Sequence, residues 1–233
     1  MNRNTRLATA AIAVFRSKTR RALLFTMVSI PGTLAMAAWK AALFVIAPSY
    51  FLLATVVFTL GVAVAKAGII RSHVSVRRRE IADRPVDAGE VQRRVYRRTG
   101  ALVLVLSAVY AASFVPQLAG TEDVTAYGRP VAIIIAAITF GELGLAVHGT
   151  VSAKRNRDRL TETVKLTNLA AGLVLIPLTQ SALLSIESEA DTGIANAFTG
   201  ILFGTLAAGV GAWMLWRSRA ASREVRTPSR TTV

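Results

Sequence analysis

The sequence predicts an all-α fold: a polytopic membrane protein with six transmembrane helices and both termini in the cytoplasm. Three observations carry that reading. Hydrophobic residues make up 53% of the 233 and charged residues only 18%, whereas a soluble domain carries about 25% charge. The charges are bunched, and the apolar stretches between them reach the roughly 20 residues that a bilayer crossing needs. The bunches also alternate in sign. Segments 1–21, 71–98, 151–162 and 217–233 hold 24 of the 28 Lys and Arg. The intervening loops hold Glu122, Asp123, Glu187, Glu189 and Asp191, with Arg129 as their only basic residue. Cytoplasmic retention of Lys and Arg then orients the chain.

The first segment, 1–21, is a basic cytoplasmic stretch. Leu7, Ala11, Val14 and Phe15 share one helical face opposite Arg6, Arg16 and Arg20. It predicts a short amphipathic helix lying on the inner membrane surface. Its apolar run is broken by Arg16, which does not suit a cleaved signal peptide. The transmembrane domain follows over 22–216. Residues 22–70 hold enough apolar sequence for two spans, and Ala47-Pro48-Ser49 divides them into 22–46 and 50–70, with Pro48 in the first turn of the second helix. Lys40 then snorkels toward the outer face. The remaining spans are 99–119, 130–150, 163–186 and 194–216. Tyr50, Tyr127 and Trp216 fall at the interfaces, as an aromatic belt requires.

The arginine-rich loop 71–98 is broken by Pro85 and Gly89, and 90–98 suits a surface helix. The polar tail 217–233 suits a disordered cytoplasmic segment. The net charge of +15 lies beside membrane spans. It therefore points to anionic lipid at the cytoplasmic face, and nucleic acid is not expected as a partner. With no cysteine, disulfides and thiolate chemistry are excluded.

Small residues at four-residue spacing mark helix seams: Gly200, Gly204, Ala208 and Ala212 in the last span, Ala137 and Gly141 in the fourth, and Gly61 and Ala65 in the second. They serve intramolecular packing, or alternatively a homodimer interface. Pro31-Gly32 and Pro177 predict kinks.

An ionisable group at membrane depth costs about 2.5–3.5 kcal/mol on insertion scales and so needs a partner or a purpose. Glu142 is the deepest carboxylate, and Lys66 and Lys165 are the lysines expected to pair with it. Glu162, Lys165 and Asn168 recur every three residues where the fifth span enters the membrane, and Thr55 and Thr59 share a face of the second. These seven residues form the candidate intramembrane polar site. Alternatively, Glu142 is a protonatable carboxylate on an ion or proton pathway. His73 and His148 are the only histidines. No zinc-type cluster, phosphate-binding glycine loop or nucleophile–histidine–carboxylate set is present. Neither enzymatic catalysis nor a cofactor is expected.

With the spans so placed, LAMAAWKAALFVIAPSYFLLATVVFTL at 34–60 resembles the membrane domain of the cation diffusion facilitator family: an apolar helix carrying a lysine, a short turn, then a second apolar helix. NLAAGLVL at 168–175 and IANAFTGILFGTLAAGVGAWMLWRSR at 194–219 resemble that family's fifth and sixth spans. The resemblance implies six spans, cytoplasmic termini, a tight first hairpin and a metal site between spans two and five. The matching ligand positions here are Thr55, Thr59, Val164 and Asn168. None offers the carboxylate or imidazole that a divalent transition metal needs, so the metal chemistry does not carry over. ITFGELGLAVHG and LTETVKLTNLAAG are also similar to spans four and five of uncharacterised six-span proteins of Gram-positive bacteria. The alanine-rich, arginine-over-lysine composition accords with a multi-pass protein of a bacterial cytoplasmic membrane. Two functions follow as expectations. The leading one is a transporter-like protein moving an ion, proton or small solute through a polar cavity around Glu142, Lys165 and Asn168. The other is a non-transporting scaffold or accessory subunit whose charges pair.

Overall fold

The computed structural model of the chain describes residues 30–81, 87–121, 128–152, 159–184 and 192–224. The expected amphipathic segment 1–21, the start of the first span, the loop residues 122–127 and 185–191 and the tail beyond 224 lie outside them. Among these residues seven helices follow in order: α1 (Ile30–Ile46), α2 (Tyr50–Ile81), α3 (Ala88–Ala112), α4 (Val115–Leu118), α5 (Arg129–Ser152), α6 (Arg159–Leu184) and α7 (Thr192–Glu224). Among the described residues there is no strand. Parts of α2, α3 with α4, α6 and α7 are four segments long and apolar enough to cross a membrane, and α1 is a shorter apolar helix. The chain is a helical membrane protein.

The hairpin between α1 and α2 turns at Ala47-Pro48-Ser49. The Ala47 N–H donates to the Leu43 carbonyl at 2.9 Å and closes α1. Ser49 caps α2, its hydroxyl accepting from the Leu52 N–H at 3.1 Å. Ser49 is thus the N-cap, and Pro48 sits one residue before it rather than inside the first turn. Two bonds fix the register. Lys40 on α1 meets Thr59 on α2, and Lys66 on α2 meets Thr33 on α1. Seven residues back on one helix match seven forward on the other, as antiparallel neighbours require.

Helix α2 runs well past the expected end at 70, so the first part of the arginine loop is helical. Residues 90–98 are likewise no separate surface helix. Asp87 caps α3, accepting from the Glu90 N–H at 3.0 Å, and the helix continues from there into the apolar segment. Gly89, in the first turn, does not break it. The third span is interrupted instead at Ser113-Phe114. Pro116 has no N–H to give the Ala112 carbonyl four residues back, and its ring crowds that carbonyl. Helix α7 extends to Glu224, so part of the expected disordered tail is helical.

Helices α3 and α7 form the longest seam. Besides Asn196 and Thr99, the buried positions on α7 are Ala197, Gly200, Gly204, Ala207, Gly211, Met214 and Ser218, and from α3 through α4 Tyr96, Gly100, Val103, Ser107, Tyr110, Phe114 and Gln117. Both series step by three and four in alternation, the heptad spacing of left-handed helix packing. The expected four-residue stripe therefore holds only in part. Gly200 and Gly204 lie in the seam, while Ala208 is half-buried and Ala212 exposed. Gly61 abuts Leu106, whereas Ala137 and Gly141 on α5 face outward.

Within a largely aliphatic core, four aromatic rings pack together. Phe51 and Phe58 on α2 meet Tyr110 edge-on at 6.1 and 6.2 Å between centroids, and Phe114 packs on Phe51 and Tyr110 at 5.0 and 5.2 Å. The buried Tyr110 hydroxyl donates to the Val174 carbonyl at 2.9 Å. That carbonyl neighbours the one on Leu173 that Pro177 leaves without its helical donor.

Steric room in the α3–α7 seam sets a stability prediction. A Cβ on Gly211 would lie 2.6 Å from the Leu104 nitrogen and 2.8 Å from the Gly100 oxygen. Backbone cannot yield as a side chain does, so Gly211→Ala should destabilise by about 1–3 kcal/mol, the usual cost of overpacking. Gly209→Ala, with nothing within 4 Å of its Cβ position, should be neutral or stabilising. Thermal unfolding of both variants in detergent checks the contrast.

Candidate polar site

Lys40 is the centre of the membrane-depth polar cluster. It is 2% exposed, and its Nζ donates to Glu142 Oε2 at 3.1 Å and to Thr59 Oγ1 at 3.3 Å. Glu142, on α5, is 18% exposed. The Thr59 hydroxyl donates to the Thr55 carbonyl at 2.7 Å, and Thr55 donates to the Phe51 carbonyl at 2.8 Å. Both hydroxyls thus return to their own helix. This leaves Thr59 Oγ1 as an acceptor toward Lys40. On the same two helices Lys66 Nζ donates to Thr33 Oγ1 at 3.0 Å, and the charge of Glu142 acts on Lys66 as well.

The partner of Glu142 is therefore Lys40, not the expected Lys66 or Lys165, and Lys40 does not snorkel. Helical side chains lean toward the N-terminus of their own helix. For α1 that direction is away from the Ala47–Ser49 turn and into the bundle. Helix α5 runs opposite to α1. Its neighbour α6 is antiparallel to it and parallel to α3, since Tyr96 meets Glu162 and, farther along both, Tyr110 meets Val174. Glu142 accordingly leans toward the turn while Lys40 leans away from it, and the two meet. Snorkelling toward the turn would have worked against the lean of α1.

Of the seven expected site residues, Glu142, Lys66, Thr55 and Thr59 come together. Glu162 and Lys165 belong elsewhere, at the end of the bundle remote from the Ala47–Ser49 turn. Glu162 there accepts from Arg217 of α7 and, at 3.3 Å, from the Tyr96 hydroxyl of α3, and its charge acts on Lys165. Asn168 is half-buried on α6 and enters the bonds of neither cluster. Lys40, Thr33, Tyr96 and Arg217 are the members that sequence reasoning missed. A third polar contact, also missed, joins α4 to α7, where the fully buried Asn196 donates to Gln117 at 2.9 Å. Thr179 donates to Thr139 at 2.6 Å across α5 and α6.

Among the described residues, no three His, Cys, Asp or Glu side chains gather as a metal site would need. What the Lys40 cluster can do is neutralise charge and join three helices. The chain matches no family model, no curated protein and no solved structure, so its own geometry is the ground for any functional reading.

Removing one partner of a buried pair strands the other. Lys40→Met should cost about 3–5 kcal/mol. Glu142→Gln should cost less, because the amide oxygen still accepts from Lys40. The double variant Lys40→Met/Glu142→Gln should be more stable than the two single effects predict, by about 0.5–3 kcal/mol. A double-mutant cycle on denaturation of the purified protein measures that coupling.

Proposed function

We propose that this chain is a six-span protein of a bacterial cytoplasmic membrane, with both termini in the cytoplasm, acting as a scaffold or accessory subunit rather than a carrier. The observation that carries the reading is the double anchoring of Lys40. Its ammonium is buried and has both a carboxylate and a hydroxyl acceptor from two different helices. Such an arrangement ties α1, α2 and α5 together. Support for six spans comes from α5, a 24-residue helix whose only charged residues are Arg129 and Glu142, and from the uncharged sequence of residues 22–29 that precedes α1. Exposed Arg71, Arg97 and Arg217 lie at one end of the bundle, which favours that end as the cytoplasmic one.

One observation favours a transporter-like second reading. Glu142 keeps 18% of its surface exposed and lies within the influence of two lysines. A proton or cation reaching it would free Lys40 to change partner. The likeness to cation diffusion facilitators belongs to this reading, without that family's metal ligands.

Reconstitution separates the two. In the scaffold reading, liposomes carrying the protein pass protons and zinc no faster than empty ones, and the swapped pair Lys40→Glu/Glu142→Lys recovers much of the stability lost in Lys40→Glu. Flux that Glu142→Gln abolishes, in a variant that still elutes as a folded monodisperse species, would overturn the scaffold reading in favour of transport.

A further inference from the structure

We infer that the extended end of α2 carries a clamp for the phosphate of an acidic phospholipid, built from Arg71, Ser75 and Arg78. These residues recur at four and three positions, which puts them on one stripe of the helix. All three are exposed, with Arg79 exposed beside them. Together with Ile70 and Val74 they line a shallow groove along α2. Guanidinium groups present planar forks suited to two phosphate oxygens, and the serine hydroxyl adds a donor between them. The apolar pair in the groove gives the glycerol and upper acyl carbons a surface to lie on.

Depth names the occupant. The helix has 32 residues, about 48 Å, whereas the hydrocarbon core of a bilayer is about 30 Å thick. With Tyr50 at one boundary, the apolar run closes at Ile70 and the clamp begins at the other. Neighbouring helices mark the same level. Gly61 abuts Leu106, and the antiparallel register carried on from there brings Arg71 opposite Tyr96. Tyr96 shares Glu162 with Arg217, one residue from Trp216, whose exposed ring contacts that of Trp213 at 5.1 Å. Tryptophans and arginines at one level mark the headgroup layer. A phosphate at that depth belongs to a lipid.

This inference requires only that α2 crosses a bilayer, so it stands apart from the choice between scaffold and carrier. The test is retention of phosphatidylglycerol by the full-length protein. Purified protein is equilibrated in mixed micelles of phosphatidylglycerol and phosphatidylcholine, and bound lipid is counted by native mass spectrometry. Phosphatidylglycerol should be retained in preference to phosphatidylcholine. Arg71→Gln/Arg78→Gln should weaken that preference by about 30-fold, the effect of two arginines facing phosphate. Arg71→Lys/Arg78→Lys, which keeps the charge and loses the forks, should fall in between. Arg93→Gln/Arg94→Gln on α3 removes the same charge elsewhere and should leave the preference nearly unchanged. Equal loss in the α3 control would mean diffuse basic attraction and overturn the clamp. So would unchanged retention in Arg71→Gln/Arg78→Gln, or displacement of the lipid by millimolar inorganic phosphate.

Discussion

An ammonium group at membrane depth has no water to solvate it, and that constraint organises this bundle around Lys40. In lipid there is little hydrophobic drive to bring α1 onto α2, because acyl chains are as apolar as the helix faces. Specific acceptors have to do it. Lys40 reaches across to Thr59, and Lys66 reaches back to Thr33. Each helix of the hairpin gives its lysine to a threonine of the other, so the two bonds act as reciprocal rungs about two turns apart. Glu142 supplies the negative charge that the rungs lack and brings α5 into the same cluster. One carboxylate thus does for three helices what a threonine hydroxyl cannot do alone.

How far this was legible in the sequence depends on which physical property the reading used. The hairpin was legible because Ala-Pro-Ser has only one sensible role between two apolar runs, and the structure turns there. Glu142 was legible as a group needing a partner, since an unpaired carboxylate at that depth is costly. Its partner was not. Depth was estimated from position along the helix, which places Lys40 near the turn and far from Glu142. Side chains lean toward helix N-termini, however, and antiparallel helices therefore close such gaps from both sides. Applying that rule to Lys40 would have turned it inward. Glu162 was similarly recognised as part of a polar face. What the sequence hides is that α3 and α7 converge on it with Tyr96 and Arg217, two residues far from it along the chain.

The glycines of the last span show a subtler failure. A four-residue stripe was expected from the commonest small-residue motif, yet the buried series on α7 alternates three and four. Straight helices have 3.6 residues per turn, so a four-residue stripe drifts one way around the axis and a 3.5-residue stripe the other. Because α3 carries the same alternation, the pair follows the second course. Bulk on one helix is matched by a glycine on the other: Phe114 against Gly200, Met214 against Gly100. Both helices had to be read together for the period to emerge, and neither stripe alone distinguishes the two drifts.

The polar contacts divide among the helices unevenly, and that division bears on how the bundle holds. Lys40, Lys66 and Glu142 tie α1, α2 and α5; Glu162, Tyr96 and Arg217 tie α3, α6 and α7, and Asn196 adds a bond to α4. Between the two groups, contacts among the described residues include the Phe51, Phe58, Tyr110 and Phe114 rings and a hydroxyl bridge from Thr179 to Thr139. Rings meeting edge-on have a definite best geometry, so this junction is stiff although it is apolar. Within the first group, Thr59 can orient Lys40 but cannot neutralise it. The hairpin partner thus holds α1 through hydroxyls, and α5 adds the carboxylate that supplies the counter-charge.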